Sequence, residues 1–521
     1  MNTGTVKYNI EASKDGMPTL SVINDSGKTV YFHSKYNPLK EAEILKSKFL
    51  PQKFDAIIIL GAGLGYHLLA LNSIKEKYNT IIIIDIIKDI EKEIAKNPET
   101  CFLTKSAEIK FITGMDYDSI EDALNTEIDF SEIKGLDIID HPPSVSAFGE
   151  YYNEVKNIIR RLINIKAGNI ATQKAFGWIY LKNIFKNFSA LPEMHPVSAL
   201  FNTMNKYAAI VVAAGPGIEN NIREIKAAQN RFFIIAVDSA MKTLTHNGII
   251  PDFFVSIDPQ GFNLEHLTGL DTGRTVPLFS VSSSHLVVEK FKGQRALLSL
   301  NTHPVSQIID DMFPEIIGHT DSKTGTVAGD AVMSAKEFGY NAIGLVGFDF
   351  SFTHFKIYPR GTAYQKRFAN AGSRFNTVET INYNYIMKSS KGLKHGNKFT
   401  RRSFLRYKES MENFVKNSGI INMFNINTIG IPVQGIKNID LQYFIDAYCG
   451  SEINKHEIID SIFAEKIITG KSVSFSKIKA FILKNNIFSE IMRASLDAKT
   501  AEKKGIKLKT ILKNTSSHLK L

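Results

Sequence analysis

Twice along this chain of 521 residues an apolar run of five or six residues breaks at a glycine-rich loop and passes into helical periodicity. Residues 55–60 lead into Gly61-Ala62-Gly63-Leu64-Gly65, and residues 208–213 lead into Gly215-Pro216-Gly217. Short continuous apolar runs fit strands buried on both faces, the pattern of a parallel sheet. Further strands are predicted over 80–84, 232–237, 253–257, 296–300 and 342–346, with helices over 66–77, 219–228 and 328–338. Strands alternating with helices place the chain in the α/β class, with a parallel sheet covered by helices.

Three zones follow from the spacing of these patterns. Residues 1–196 open with alternating segments, 19–23 and 29–33, joined at Asn24-Asp25-Ser26-Gly27. They continue into a Rossmann-like unit and a long helical stretch over 150–191. Residues 197–441 hold the run of βα units, Pro192 and Pro196 marking the entry. Residues 442–521 show helical spacing over 453–468, 474–483 and 487–504 and read as a helical domain.

With 44% hydrophobic and 22% charged residues the composition is that of a soluble globular protein. No apolar run approaches the roughly 20 residues that span a bilayer. The first residues lack the basic-then-apolar pattern of a secretory signal. Cys101 and Cys449 are far apart, which argues against a disulfide scaffold or a cysteine metal site and fits a reducing compartment. The expected location is the cytoplasm. The formal net charge is +11, and the stretch 491–521 is rich in Lys and Arg. That stretch reads as a solvated basic tail or as a dock for an acidic surface. No basic patch interleaved with aromatic residues points to nucleic acid.

Polar residues gather where the predicted strands end. In open α/β sheets ligands bind outside those carboxyl ends. Asp238-Ser239 follows the strand 232–237, Asp258 follows 253–257, and Asp349 follows 342–346. Ser282 opens a Ser-Ser-Ser-His run after another strand. Gly215, Pro216 and Gly217 form the loop after 208–213, and Lys323-Thr324-Gly325 precedes the helix 328–338. Glycine and hydroxyl residues at a helix start suit a phosphate or carboxylate. The first loop offers a second candidate ligand site: Gly61, Gly63 and Gly65, with Asp85 twenty residues on, where a ribose-binding acid would sit. It resembles the start of a Rossmann-type methyltransferase or dinucleotide site. The zone around it reads more readily as a structural remnant or a partner platform than as a ligand-binding domain. No metal site is predicted.

Taken in order, several segments resemble the Maf (motility accessory factor) / DUF115 family. They are 213–220 with Val237-Asp238, 248–259, and 323–330 leading to Phe338-Gly339-Tyr340 and Gly347-Phe348-Asp349. The helix 174–187, with Phe176-Gly177, Asn183 and Phe185, is similar to that family too. The resemblance implies a central Rossmann-like domain akin to bacterial sialyltransferases, flanked by an N-terminal α/β domain and a C-terminal helical domain. It implies a glycosyltransferase that moves a nonulosonic acid, pseudaminic or legionaminic, from a CMP-activated donor to Ser or Thr of flagellin. No further cofactor is expected. On this pattern Gly215, Pro216, Gly217, Asp238, Ser239, Ser282, Lys323, Thr324, Gly325 and Asp349 bind the donor. Asp258, His354 and His395 are the candidates for catalysis, and Tyr358 or Tyr364 for phosphate assistance. Alternatives within the same resemblance are a pterin pyrophosphokinase-like enzyme and a non-catalytic flagellin-binding factor; a methyltransferase built on the first zone is a third. The oligomeric state is left open.

Overall fold

The computed structural model describes residues 6–24, 26–45, 56–73, 78, 80–128, 135–420, 422–426, 429–465, 477, 478 and 480. The expected helix over 487–504, most of the one over 474–483, and the basic stretch 491–521 lie outside these residues. So does Asp25 of the expected first turn. The chain divides into two compact units, Met1–Gln173 and Lys174–Leu521.

The first unit begins with an antiparallel sheet of β1 (Tyr8–Ala12), β2 (Pro18–Ile23) and β3 (Thr29–Tyr31). A parallel sheet follows, of β4 (Ala56–Leu60), β5 (Thr80–Asp85), β6 (Ile109–Thr113) and β7 (Leu136–Asp140), in the order β6-β5-β4-β7. Every residue of β4 is buried, as the isoleucine run requires; β-branched side chains pack well on a pleated surface covered from both sides. The segment expected as a helix over 66–77 is a 3-10 helix over its described part, Tyr66–Ser73. The i→i+3 pattern is already set in the glycine loop, where Gly65 N–H donates to Ala62 O and Leu68 N–H to Gly65 O, both at 2.9 Å.

The second unit is built on β8 (His195–Pro196), β9 (Ala208–Val212), β10 (Phe233–Val237), β11 (Phe253–Val255), β12 (Val276–Ser280), β13 (Leu297–Ser299), β14 (Ala342–Val346), β17 (Met423–Ile426) and β18 (Lys437–Ile439). These nine form one sheet in the order β18-β17-β14-β9-β10-β11-β12-β13-β8, every pair parallel. A small hairpin, β15 (Lys394–His395) with β16 (Lys398–Phe399), stands apart from it. The chain walks outward from β9 to β13, then returns to lay β14 on the other side of β9. That reversal between β9 and β14 is the topological switch point, where doubly wound sheets open a crevice.

Residues of β9, β10, β12 and β14 are buried throughout. Leu181, Ile184, Phe185 and Phe188, at the end of the long helix Gly149–Asn187 and just beyond it, enter the same core. Ile459 and Phe463 of the helix Lys455–Glu465 join it too. The expected helix over 219–228 is two pieces, a 3-10 turn Pro216–Asn220 and a helix Ile222–Ala228. Asn221 is the joint, with φ −104° and ψ −4°. Among the described residues, no helix is long and apolar enough to cross a membrane.

Candidate active site

The backbone at the switch point stays in register beyond the strands. Ala213 N–H donates to Val346 O at 2.9 Å and Gly215 N–H to Gly347 O at 3.0 Å. Gly347 turns the chain with φ 74°, a region that glycine enters without steric penalty. Asp349 then folds under the glycine loop, and its Oδ2 accepts the Gly217 N–H at 2.7 Å. A side chain at Gly217 would put its Cβ 2.5 Å from Asp349 Oδ1. The glycines of this loop therefore make room for Asp349. Burial lifts the Asp349 carboxyl above its usual range, and the Gly217 N–H pulls it back.

Above this floor lies a cavity of about 270 Å³. Gly215, Pro216, Ser239 and Asp349 line it, together with Ser351, Tyr358, Tyr385, Arg401, Phe404 and Tyr407. Thr326, Val327 and Ala328, the start of the helix Val327–Phe338, close another side. Thr326 Oγ1 caps this helix by accepting the Gly329 N–H at 3.0 Å. The first N–H groups of a helix have no partner within it and carry the positive end of its dipole, so this wall suits an anion.

Behind the cap runs a chain of hydroxyls. Ser322 Oγ and Thr324 Oγ1 are 2.7 Å apart, and Thr324 Oγ1 and Thr326 Oγ1 3.2 Å. Asp330 Oδ1 accepts both the N–H and the Oγ–H of Ser322, at 2.8 and 2.6 Å. Burial pushes the Asp330 carboxyl up to about 7. Thr324 is thus a buried support of the cap. Lys323 and Gly325 are exposed and do not line the cavity.

Asp238 is equally committed. Its Oδ1 accepts the Ser239 N–H at 2.7 Å, and its Oδ2 takes Ser256 Oγ–H at 2.8 Å and Asn263 Nδ2–H at 3.0 Å. Burial first, then the charge of Asp258, lifts it to about 7. Asp258 is partly buried, and one oxygen accepts the Gln260 N–H at 2.8 Å. Burial raises its carboxyl above the ordinary range. Asp258 lies outside the cavity lining, but its charge acts on Tyr364, whose ring stacks on that of Tyr358 in the cavity wall at 4.3 Å and 6°. Ser282 is buried, its Oγ accepting Asn301 Nδ2–H at 2.9 Å. Asn183 holds this region by donating to Pro259 O and Ser282 O.

His354 is exposed with φ 52°, and His395 is exposed on the small hairpin; neither lines the cavity. Arg401, Tyr385 and Tyr407 follow no predicted strand end, so the pattern of polar residues at strand ends does not include them. A signal was present in charge. Residues 356–408 hold Lys356, Arg360, Lys366, Arg367, Arg374, Lys388, Lys391, Lys394, Lys398, Arg401, Arg402, Arg406 and Lys408 against Glu379 alone.

In the first unit the glycine loop is filled by the protein's own side chains. Asp85 Oδ2 accepts the Ala62 N–H at 2.6 Å and Oδ1 the Ile87 N–H at 2.8 Å. His33 Nε2 accepts the Leu64 N–H at 2.7 Å, and a Cβ on Gly63 would come within 2.5 Å of that nitrogen. His67 stacks on His141 at 4.1 Å, and all three histidines are buried. Burial lowers His33 and His67 to about 3. Gly61, Gly63, Gly65 and Asp85 are therefore close together, around histidines and backbone amides.

Fold and site define a doubly wound α/β protein whose larger sheet has a cavity at its switch point. Residues 182–355 match the family model for 6-hydroxymethylpterin diphosphokinase MptE-like proteins. That match lies within the second unit and takes in β8 to β14 with their flanking residues. A solved Maf glycosyltransferase from Magnetospirillum magneticum AMB-1 shares the fold, with a TM-score of 0.58 and 14% identity over 93% of this chain and 78% of that one. Two uncharacterized proteins of Treponema pallidum (strain Nichols) are similar in sequence. One is 30% identical over 119 residues, 23% of this chain and 52% of its own length. The other is 26% identical over 219 residues, 41% of this chain and 71% of its own length. The chain thus spans about half the length of the first of these relatives.

Proposed function

We propose that this chain is a glycosyltransferase of the cytoplasm, moving a nonulosonic acid such as pseudaminic or legionaminic acid from a CMP-activated donor to Ser or Thr of flagellin. The observation that carries the reading is the cavity at the switch point, lined by a capped helix start and by Tyr358 and Arg401. Breaking the bond between phosphate and anomeric carbon builds negative charge on the phosphate and positive charge on the sugar. A CMP leaving group is already a stable anion, so hydrogen-bond donors fixed in place suffice to assist its departure. The Val327 and Ala328 N–H groups, the Ser239 and Ser351 hydroxyls and the Tyr358 phenol are the donors at hand. The acceptor hydroxyl needs a base whose pKa approaches neutrality. Among the three candidates Asp258 suits best: it is partly buried, raised by that burial, and next to the Tyr364–Tyr358 stack.

The match to the MptE-like model favours a second reading, diphosphate transfer from ATP to a hydroxymethylpterin. Thermal-shift measurements separate the two. A ligand at about 100 times its Kd adds about 2.7 kcal/mol to stability. CMP and a CMP-sugar are expected to raise Tm, and ATP with Mg²⁺ is not. Stabilisation by ATP–Mg²⁺ and a pterin, with none by CMP, would replace the first reading by the second. With flagellin co-expressed, the wild-type chain is expected to add the mass of a nonulosonic acid, and Asp258→Ala to add none while keeping its Tm.

A further inference from the structure

We infer that Arg401 sets donor specificity, holding the carboxylate of an acidic sugar while the helix start at Thr326–Ala328 holds the phosphate; this rests on the glycosyltransferase reading above. Arg401 precedes the helix Arg402–Ser418 in extended conformation, φ −137° and ψ 157°. Its backbone is fixed from both sides. Thr400 Oγ1 donates to Phe350 O at 2.7 Å and Thr400 N–H to Leu393 O at 3.1 Å, while Arg401 O accepts the Phe404 N–H at 2.9 Å. The side chain lies over the Phe404 ring, Cζ 4.1 Å from its centre, and forms part of the cavity wall.

What distinguishes Arg401 is the missing partner. Its Nε is buried and has no hydrogen bond among the described residues, and none of their ion pairs engages the guanidinium. Arg401 as a whole is half-buried, but a buried N–H donor left without a partner is unfavourable, so its place in a cavity wall points to a ligand anion. The cavity wall also holds the start of the helix Val327–Phe338, whose first N–H groups suit an anion. Arg401 comes from a separate segment of the chain, after β14, and lines the same cavity. A ligand with a single phosphate satisfies one of these features. A CMP-linked acidic sugar satisfies both, because its carboxylate sits on the same anomeric carbon that carries the phosphate. The planar fork of arginine matches a carboxylate through two parallel hydrogen bonds, which a lysine cannot reproduce.

The test compares ligands with and without that carboxylate on the full-length protein. CMP, CMP–N-acetylneuraminic acid and the methyl ester of the latter are titrated against wild type, Arg401→Met and Arg401→Lys. Wild type is expected to bind the acid at least about tenfold more tightly than the ester, a difference of about 1.4 kcal/mol. In Arg401→Met that ratio falls close to one while CMP affinity stays within about twofold of wild type. Arg401→Lys, which keeps the charge and loses the fork, recovers part of the ratio. An unchanged acid-to-ester ratio in Arg401→Met overturns the assignment of Arg401 alone. So does a loss of CMP affinity as large as the loss for the acid, since Arg401 would then be a phosphate ligand. If wild type binds neither CMP nor the CMP-sugar, the donor reading itself fails and takes the assignment with it.

Discussion

At the scale of single residues, the most constrained pair is Gly217 and Asp349. The N–H donates to the carboxylate, and the same carboxylate fills the space a side chain would need. Gly217→Ala is expected to lose about 1–3 kcal/mol, the usual penalty of overpacking. In the background of Asp349→Ala much of that loss should disappear, because the clashing oxygen is gone. A double-mutant cycle on denaturant midpoints measures this, and additive losses would show that the two do not compete for space. The histidines of the first unit allow a pH prediction. His67 is held neutral to about pH 3 by burial, whereas in an unfolded chain it takes up a proton near 6.5. Below 6.5 the unfolded state binds more protons, so this group's contribution to stability is present at neutral pH and is lost progressively towards pH 3. The gap in stability between wild type and His67→Gln should therefore narrow by about 2 kcal/mol from pH 7 to pH 5. A gap that is constant with pH would mean that His67 is protonated in the fold. Glycines and acids at strand ends were legible in the sequence as a pattern. What fills the space beside them was not, because His33 and Asp349 arrive from 31 and 132 residues away along the chain.

Elements were legible in proportion to how fully they are buried. β9, β10 and β14 are apolar on both faces and stand out as runs. β17 is four residues with Asn425 inside, and β18 is Lys437-Asn438-Ile439 at the sheet edge, so neither shows an apolar run. The helices Val378–Ser390 and Arg402–Ser418 carry mostly polar faces, and the Tyr385, Phe404, Tyr407 and Met411 that they bring to the cavity wall follow no apolar run that would mark them in the sequence. The helix Lys455–Glu465 is fixed by a contact no periodicity reveals. Lys455 Nζ lies 2.8 Å from Asp252 Oδ2, both side chains buried, and the same oxygen accepts the Ile234 N–H of β10. Lys455→Ala strands a buried carboxylate and is expected to cost about 3–5 kcal/mol. Replacing both partners, Lys455→Met with Asp252→Asn, should cost clearly less. Equal losses in the two variants, read from urea midpoints, would show that packing and not charge holds the helix. Thr326→Ala is a milder case: losing the cap of the helix Val327–Phe338 should lower stability by about 0.5–2 kcal/mol.

On the scale of the whole molecule, charge is distributed unevenly, and the part next to the cavity is the basic one. The compact basic run at 491–521 lies outside the described residues. The larger excess, over 356–408, is spread across loops and helices and so forms no run. Lys366 and Lys388 are exposed on the helices Ala363–Ala371 and Val378–Ser390, and the second of these helices also contributes Tyr385 to the cavity wall. A basic surface around a cavity raises the rate at which an anionic ligand finds it, and salt screens the effect over a Debye length of about 10 Å at 0.1 M. The rate of association of a CMP-linked acidic sugar should therefore fall severalfold between low and physiological salt, while the rate of dissociation changes little. Lys366→Glu with Lys388→Glu should slow association at low salt and flatten its salt dependence, leaving dissociation and Tm near wild type. Stopped-flow titration across ionic strength reads both rates. Were the double variant to change dissociation instead, these lysines would be touching the bound donor, and the cavity would extend further under the two helices than its present walls.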